Sequence, residues 1–464
     1  MTNPVFRASL ALALASLPWL AHADEAADLK ALRQEVDSLR SQYEARLKTL
    51  EDRLRAAEAA RAAPAAAVAP APLPAAPSPV PVAAGPAGGP ASGTGFNPAL
   101  SLILSGLATR TSRDPAGWHV GGQPLPPGSD VGPGSRGFSL SESELGLAAN
   151  IDPWFSGAAN ISLHPDNTVS VEEAYVQTGA IGEGLTLKAG RFFSSIGYLN
   201  SQHAHTWDFV DTPLAYQAFL GGQYGDDGVQ LAWLAPTDTF IELRGELGRG
   251  LDFPGSGASR NGAGMAALAL HAGGDIGDSS SWRAGLSVLQ AHAQDQLLDG
   301  TDLAGGTTER SFSGRTRVYV ADAVWKWAPG GNATRTNFKL QGEWLRSTRE
   351  GSLADSASAD TGPWRLAQSG GYLQAVYQFM PHWRVGLRGD WMDAARVDGG
   401  SGTPLFGAEP WRPRRDSLML DWSPSEFSRI RLQYARDRAR PGPADGQWFL
   451  QYQMSLGAHG AHSY

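Results

Sequence analysis

Two histidines and an aspartate in one short stretch of the chain are the residues whose types and spacing best suit metal chemistry. His203, His205 and Asp208 offer imidazole nitrogens and a carboxylate, which are ligands that suit zinc. A curled backbone would let all three hold one ion; the alternative, which His-x-His spacing by itself favours, is structural hydrogen bonding. His459 and His462 near the C-terminus are further candidates, but we expect them at the opposite, periplasmic end of the fold. Apart from this zinc set, the sequence predicts no cofactor.

No group of residues predicts catalysis. The 464 residues include no cysteine, which excludes disulfides, thiolate zinc sites and cysteine nucleophiles. Histidine, serine and aspartate are scattered without the arrangement of a hydrolase site, so we do not expect an enzyme. The formal net charge of -8 gives no reason to expect a nucleic-acid partner.

Charged side chains recur on one face of many predicted strands, opposite an apolar face. The candidate pore-lining residues are Glu142, Glu144, Lys188, Arg244, Arg315, Arg317, Lys339, Arg384, Arg388, Arg429 and Arg431, together with Glu242, Glu246, Glu343, Asp390 and Asp421. Rings of charge in a narrow channel set ion preference, and the basic residues are denser in the C-terminal half. The pattern predicts a pore that is general or leans toward anions. The alternative is that these charges pair across the lumen and only stiffen it.

The scaffold for these residues is predicted to be all-β from residue 96 to residue 464. This region contains sixteen segments in which polar and apolar residues alternate, as where Leu432 and Tyr434 share one face while Arg431 and Gln433 share the other. Short turns mostly alternate with long connections. An even strand number with this turn pattern is typical of an outer-membrane barrel. The predicted fold is a 16-stranded antiparallel transmembrane β-barrel, and a soluble β-sandwich or β-helix is the alternative.

The connection from Phe192 to Asp227 is the longest of the long ones, which also include 293–311 and 348–370. It is richer in aromatic and hydrogen-bonding side chains than a solvated loop should be. We predict that it folds into the lumen as a constriction; the alternative is a loop packed over the barrel mouth or at a subunit contact. The constriction residues would be Tyr198, Asn200, Gln202, His203, His205, Trp207, Asp208 and Asp211.

Three segments precede the predicted barrel. Residues 1–23 carry Arg7 ahead of a short apolar run and end in a small-x-small site, as a secretory signal peptide does. Residues 24–62 place leucines at heptad spacing among mixed charges, which predicts an α-helical coiled coil in the periplasm. Residues 63–95 hold no charge and are rich in alanine and proline, which predicts an extended linker. The alternatives are an uncleaved membrane anchor and a marginal monomeric helix.

Several strings of the barrel resemble one group of proteobacterial outer-membrane proteins. They include GFSLSESELGLAANIDPWF at 137–155, VEEAYVQT at 171–178, DDGVQLAWLAPTD at 226–238, SPSEFSRIRLQY at 423–434 and the block 189–221. The group is similar in architecture to the phosphate-selective porin family. Its members often carry the label "zinc-regulated TonB-dependent outer membrane receptor".

This resemblance implies an outer-membrane porin through which small hydrophilic solutes or ions diffuse passively. A coiled coil ahead of a trimeric barrel also resembles some sugar-specific porins, so a homotrimer is expected. The other predicted partners are outer-membrane lipid and lipopolysaccharide. Two alternatives stay open. One is a zinc-linked uptake receptor, although the segment before the barrel could not fold as a plug; the other is a structural tether with a blocked lumen.

Overall fold

The computed structural model describes residues 98–179, 181–257, 261–301, 307–354, 361–399 and 410–457. The predicted signal peptide, coiled coil and linker lie outside these residues, as do His459 and His462. Among the described residues, no helix is both long and apolar enough to cross a bilayer.

Within the described ranges, sixteen antiparallel strands form one closed sheet, which confirms the predicted fold class. The last strand pairs with the first, from Ser101 opposite Gly457 to Thr111 opposite Gln447. The strands are β1 (Ala99–Thr111), β2 (Gly137–Leu140 and Ser143–Asn150), β3 (Phe155–Leu163), β4 (Val169–Thr178), β5 (Leu185–Phe193), β6 (Gly225–Leu234), β7 (Phe240–Gly248), β8 (Met265–Ile276), β9 (Ser280–Thr301), β10 (Thr307–Trp327), β11 (Asn337–Ala354), β12 (Thr361–Met380), β13 (Trp383–Met392, resuming as Arg396–Asp398), β14 (Arg414–Ser425), β15 (Ser428–Arg438) and β16 (Asp445–Gly457).

The two faces of the sheet differ in chemistry. On β16 the side chains of Trp448, Leu450 and Tyr452 are about half exposed, whereas Gln451 and Gln453 are nearly buried. Because successive residues of a strand point to opposite faces, apolar groups cover the outside and polar groups line the inside. An apolar outer face without free strand edges is what lipid hydrocarbon requires. The barrel is therefore of the transmembrane kind.

Aromatic side chains gather at both ends of the apolar face. Trp383 and Trp422 stack beside the short turns, with ring centroids 5.8 Å apart, and Trp391 lies at the other end of β13. The path along the strand from Trp383 to Trp391 is about 26 Å at about 3.3 Å per residue, and a strand tilt of about 40° makes this about 20 Å of height, of the same order as the roughly 25 Å of an outer-membrane apolar band. These aromatic residues mark the two bilayer interfaces.

Four neighbouring strands, β9 to β12, are longer than the sequence predicted. The connections expected at 293–311 and 348–370 are mostly paired strand, since β9 continues to Thr301 and β12 begins at Thr361. The inner face of the extensions carries a buried apolar cluster that includes Leu298, Phe312, Leu353, Trp364 and Leu366. The expectation of loops was wrong. The outer face of the extensions is in water and carries polar side chains, while the apolar side chains that alternate with them point into the barrel.

Replacing Leu387 with arginine is expected to lower the free energy of unfolding by about 2–4 kcal/mol, as arginine does near the middle of a lipid-facing surface. Leu387 is 61% exposed on the outer face of β13. The measurement is urea unfolding in phospholipid bilayers, followed by tryptophan fluorescence, with Leu387→Val as the matched control. Equal midpoints for the arginine and valine variants would show that lipid does not cover this face.

Candidate functional site

The connection between β5 and β6, residues 194–224, runs inside the barrel, and we call it L3. It contains a 3-10 turn at Ala204–Thr206 and one short helix, α1 (Leu214–Leu220), whose seven residues are all buried. The helix shares an apolar cluster with inward-facing side chains of β10 and β11, among them Val318, Val320 and Leu345. Apolar packing therefore fixes one side of L3 against the wall.

Glu343 on β11 holds the first part of L3 by hydrogen bonds. Its carboxylate accepts from the backbone N–H groups of Tyr198 (3.2 Å) and Leu199 (2.9 Å). It also accepts from the hydroxyl groups of Tyr216 (2.8 Å) and Tyr372 (2.7 Å). Glu343 is nearly buried, and a buried carboxylate is stable only with such partners. This one side chain therefore joins L3, α1 and the wall.

Glu246 on β7 and Asn200 make the hydrogen bonds that hold the two ends of L3. Glu246 accepts from the hydroxyl of Ser194 (2.6 Å) and from the hydroxyl and N–H of Ser195 (2.6 and 2.8 Å). The Asn200 amide donates to the carbonyls of Ser194 and Tyr224 and accepts from the N–H of Tyr224 (2.8, 2.9 and 2.8 Å). The two ends of L3 are thus tied to each other as well as to the wall.

Asp208 in L3 contacts basic side chains of the wall. One carboxylate oxygen lies 2.5 Å from Lys339 Nζ and accepts from the Gln374 amide (2.9 Å), and the other lies 3.2 Å from Arg384 Nη1. Burial alone would raise the pKa of Asp208, but the charges of Lys339 and Arg384 hold it well below its usual range. Asp208 is therefore ionised and neutralises part of the basic wall.

Asp211 makes a second contact of the same kind. It pairs with Arg388 (3.0 Å) and with Arg415. Each arginine also has a partner on the wall, since Arg388 Nε lies 3.2 Å from Asp390 and Arg415 Nε lies 2.8 Å from Asp437. Both arginine side chains are 1% exposed. Asp211 is therefore the shared anion between two buried cations.

Two further arginines bind the backbone of L3 instead of a carboxylate of L3. Arg429 donates to the carbonyl of His205 (2.8 Å), and Arg431 donates to the carbonyl of Trp207 (2.7 Å). Arg431 also lies 3.4 Å from Asp421. Strands β11 and β13 to β15 therefore present a group of basic side chains to L3, and L3 covers them with aspartates and carbonyl oxygens.

The pKa values of Asp208 and Asp211 predict that this basic contact does not change between pH 8 and pH 5. Burial opposes ionisation of both, but the neighbouring cations outweigh it and lower both values. A lowered folded-state pKa gives stabilisation that is complete above the unfolded value, about 3.9, and is lost only below it. Chymotrypsin cleavage after the buried Phe209, measured relative to cleavage of the urea-unfolded protein at the same pH, should stay equally slow at pH 8 and pH 5, since the protease itself is slower at pH 5. Faster cleavage at pH 5 would contradict the assignment.

The opposite side of L3 meets an acidic cluster, which consists of Glu144, Glu172, Glu173, His203 and His205. The Nε2 atom of His203 lies 2.9 Å from Glu173, and its Nδ1 atom lies 3.4 Å from Glu172 and 3.5 Å from Glu144. His205 Nδ1 lies 2.9 Å from the other oxygen of Glu144, and the two imidazoles stack 5.7 Å apart. Burial alone would lower the pKa of His203, but the three carboxylates raise it well above its usual range. The cluster thus favours positive charge.

A β-bulge explains how two consecutive glutamates reach the same side of the sheet. Asn160 pairs with Glu173 and Ile161 pairs with Val171, so Glu172 is an extra residue on β4. Such a residue bends its strand and redirects its side chain. Sequence reasoning missed Glu172 and Glu173 because strict alternation places only one of them in the lumen. The consecutive pair in the VEEAY string was the available signal.

The prediction that Arg315 and Arg317 line the pore was wrong, because both lie on the outer face of β10. They share the face of Tyr319, which is 42% exposed, while Val318 between them is buried against L3. Arg317 donates to Gln290 on the neighbouring strand (3.0 Å). The inner face of β10 is apolar here because α1 packs on it. The charged residues that alternate with these apolar residues therefore face outward.

The other predicted pore-lining residues lie on the inner face of the sheet: Glu142, Glu144, Lys188, Arg244, Lys339, Arg384, Arg388, Arg429 and Arg431. Arg415 also belongs to this face and was missed.

The predicted metal set is not brought together as a group of three. Asp208 contacts Lys339 and Arg384, whereas the acids beside His203 are Glu144 and Glu172. The cause is the path of L3, which turns from the acidic wall to the basic wall between His205 and Asp208.

Comparisons with known proteins give one family assignment. No protein-family model matches the sequence. Solved structures with similar chains include OmpTdeltaL8 of Vibrio cholerae (10% identity, 78% of this chain and 99% of that one, TM-score 0.48) and the anion-selective porin from Comamonas acidovorans (11%, 78% and 99%, TM-score 0.46). An uncharacterized protein of Aquifex aeolicus (strain VF5) is 31% identical in an alignment of length 405 that covers 81% of each chain. The chain therefore belongs to the same protein family as this Aquifex protein.

Proposed function

We propose that the protein is a porin of the bacterial outer membrane, through which small hydrophilic solutes or ions diffuse passively. The observation that carries the proposal is a closed barrel with an apolar outside and charged inner side chains that keep partial contact with water. Lys339 is 22% exposed, and Arg244 and Arg384 are each 26% exposed. Charges in a sealed protein core would be excluded from water, so this exposure supports a hydrated lumen.

The pairing of wall charges with L3 bears on ion preference. Asp208 and Asp211 neutralise part of the basic side chains of β11 and β13 to β15, and the carboxylates of the acidic cluster are balanced in part by His203. We therefore propose that the channel has a weak ion preference and that the anion-attracting wall is largely masked. A general pore for neutral and charged solutes fits this balance better than a strongly anion-selective one.

Conductance of the purified full chain in planar bilayers tests the proposal. Steady ohmic channels, together with swelling of liposomes in small sugars and phosphate, would support passive diffusion. The alternative is a structural tether with a blocked lumen, which the dense packing of α1 and Ile196 favours. Correct folding of the barrel is checked by the change in its gel mobility on heating. If the folded protein shows no conductance at all, the tether replaces the porin proposal.

The Asp208→Asn variant is expected to shift ion selectivity toward anions. It removes a negative charge that lies against Lys339 and Arg384 without changing side-chain size. One unit charge acts on an ion about 7 Å away with about 0.6 kcal/mol in water, which corresponds to about threefold in local anion concentration. The reversal potential in a chloride salt gradient is the measurement, and Asp238→Asn on an exposed turn is the control. Equal reversal potentials for both variants would place Asp208 away from the ion path.

The proposed assembly is a homotrimer in the outer membrane, supported by the predicted coiled coil. Outward-facing Arg315 and Arg317 on β10 and Arg346 on β11 supply positive charge for the phosphate groups of lipopolysaccharide. The trimer is tested by light scattering of the unheated protein in detergent.

A zinc-linked receptor driven by an energising partner is the alternative to passive transport. Transport in energised cells that stops when the energy source is removed would favour this alternative.

A further inference from the structure

We propose that Glu144, Glu172 and His203 form a binding site for a divalent transition-metal ion, and that Zn²⁺ is the ion the ligand set fits best. The proposal goes beyond the porin function and differs from the set expected from the sequence. The three residues come from β2, from the bulge of β4 and from L3. One ligand atom of each lies within 4.8 Å of the others.

Two of the three distances between the ligand atoms, those that involve His203, match the edges of a zinc coordination shell. His203 Nδ1 lies 3.4 Å from Glu172 Oε2 and 3.5 Å from Glu144 Oε1. Bonds of about 2.0–2.2 Å in a tetrahedron separate neighbouring ligands by about 3.3–3.6 Å. These contacts are too long for strong hydrogen bonds. An ion bound by His203 Nδ1 would therefore lie beside both carboxylates.

Two of the three ligand atoms lack a hydrogen-bond partner among the described residues. These are Nδ1 of His203 and Oε2 of Glu172, and both atoms are buried. Buried polar atoms are rarely left unsatisfied, and each such case needs an explanation, an ion being one. The two atoms lie 3.4 Å apart, so one ion would satisfy both.

The surrounding groups are those that orient metal ligands. The second nitrogen of His203 lies 2.9 Å from Glu173, and a carboxylate behind the free nitrogen of a ligating histidine fixes its ring and tautomer. His205 contacts the other oxygen of Glu144 at 2.9 Å, which leaves Oε1 for the ion. The bulge of β4 is what allows Glu172 to be a ligand while Glu173 orients the histidine.

The charge balance also favours a divalent cation. The carboxylates of Glu144, Glu172 and Glu173 surround the imidazole of His203. Lys188 adds one positive charge near Glu173. Calcium and magnesium prefer all-oxygen sites, whereas imidazole with carboxylates suits zinc and its neighbours in the first transition row. An ion here would join L3 to two strands on the side opposite the basic wall.

Isothermal titration of the full chain in detergent with ZnCl₂, after removal of metal with EDTA, tests the proposal. We expect one tight site per chain. Glu172→Gln and His203→Asn should each raise the Kd by more than a hundredfold, and Glu173→Gln should raise it by about 10–100-fold, the usual effect of a partner behind a ligand. The matched controls are Glu426→Gln and His382→Asn in exposed turns, and a His459→Gln, His462→Gln double variant removes competing sites at the C-terminus.

X-ray absorption at the zinc edge of the wild-type protein supplies a test that needs no variant to fold. One imidazole with oxygen ligands supports the proposal, and two imidazoles would replace it with a site that uses His205 as well. No tight zinc binding by the wild type would overturn it, as would unchanged affinity in folded Glu172→Gln protein. These results leave the porin proposal untouched, because conductance is measured separately with EDTA present.

Discussion

The Asp211→Asn variant is expected to lower the free energy of unfolding by about 3 kcal/mol and to loosen L3 inside the lumen. Asp211 lies between Arg388 and Arg415, whose side chains are each 1% exposed. Removing one partner of a buried ion pair costs about 3–5 kcal/mol. We expect the low end because Asp390 and Asp437 keep their contacts with the two arginines.

The loosening of L3 has its own measurement. Phe209 is 2% exposed in the intact protein, so chymotrypsin should cleave after it only slowly. In the Asp211→Asn protein this cleavage should become faster, and the single-channel current should become noisier. The isosteric control is Asp238→Asn in an exposed turn. If both variants unfold at the same urea concentration and resist chymotrypsin equally, Asp211 does not hold L3.

The barrel was predictable from the sequence because its defining signal is local. Leu432 and Leu450 face lipid while Arg431 and Gln451 face the lumen, and this period of two is visible in any short window of the chain. Lipid requires such a regular outer face over the whole height of the bilayer. Beyond the bilayer this requirement ends, so the sequence predicts loops where the strand extensions of β9 to β12 lie.

The partners of individual charges were not predictable, because they depend on where L3 turns and on single irregularities of strands. One extra residue in β4 places Glu172 beside His203, and no composition or alternation rule contains that information. The packing of α1 decides which residues of β10 face inward. Val318 points inward to the apolar cluster that contains α1, and Arg317 points outward. Asp208 is close to the two histidines in the sequence, but its carboxylate contacts Lys339 on β11 and Arg384 on β13.

Replacing Glu343 with alanine is expected to have the largest effect of any single change in the lumen, about 4 kcal/mol or more. The variant removes the acceptor of four hydrogen bonds, two from the backbone of L3 and two from Tyr216 and Tyr372. Each buried donor left without a partner costs about 1–3 kcal/mol. The two hydroxyl groups can rotate toward new partners, but the N–H groups of Tyr198 and Leu199 are fixed by the backbone.

A graded series separates this hydrogen-bond effect from a loss of packing. Tyr372→Phe removes one donor and should cost about 1 kcal/mol, while Glu343→Gln keeps one acceptor oxygen and should fall between the phenylalanine and alanine variants. Because α1 retains its apolar contacts with Val318 and Val320, the barrel should persist in all three variants while the first part of L3 detaches. Conductance should therefore rise in the same order as stability falls. A Glu343→Ala channel with wild-type conductance and wild-type unfolding would show that apolar packing alone holds L3 in the lumen.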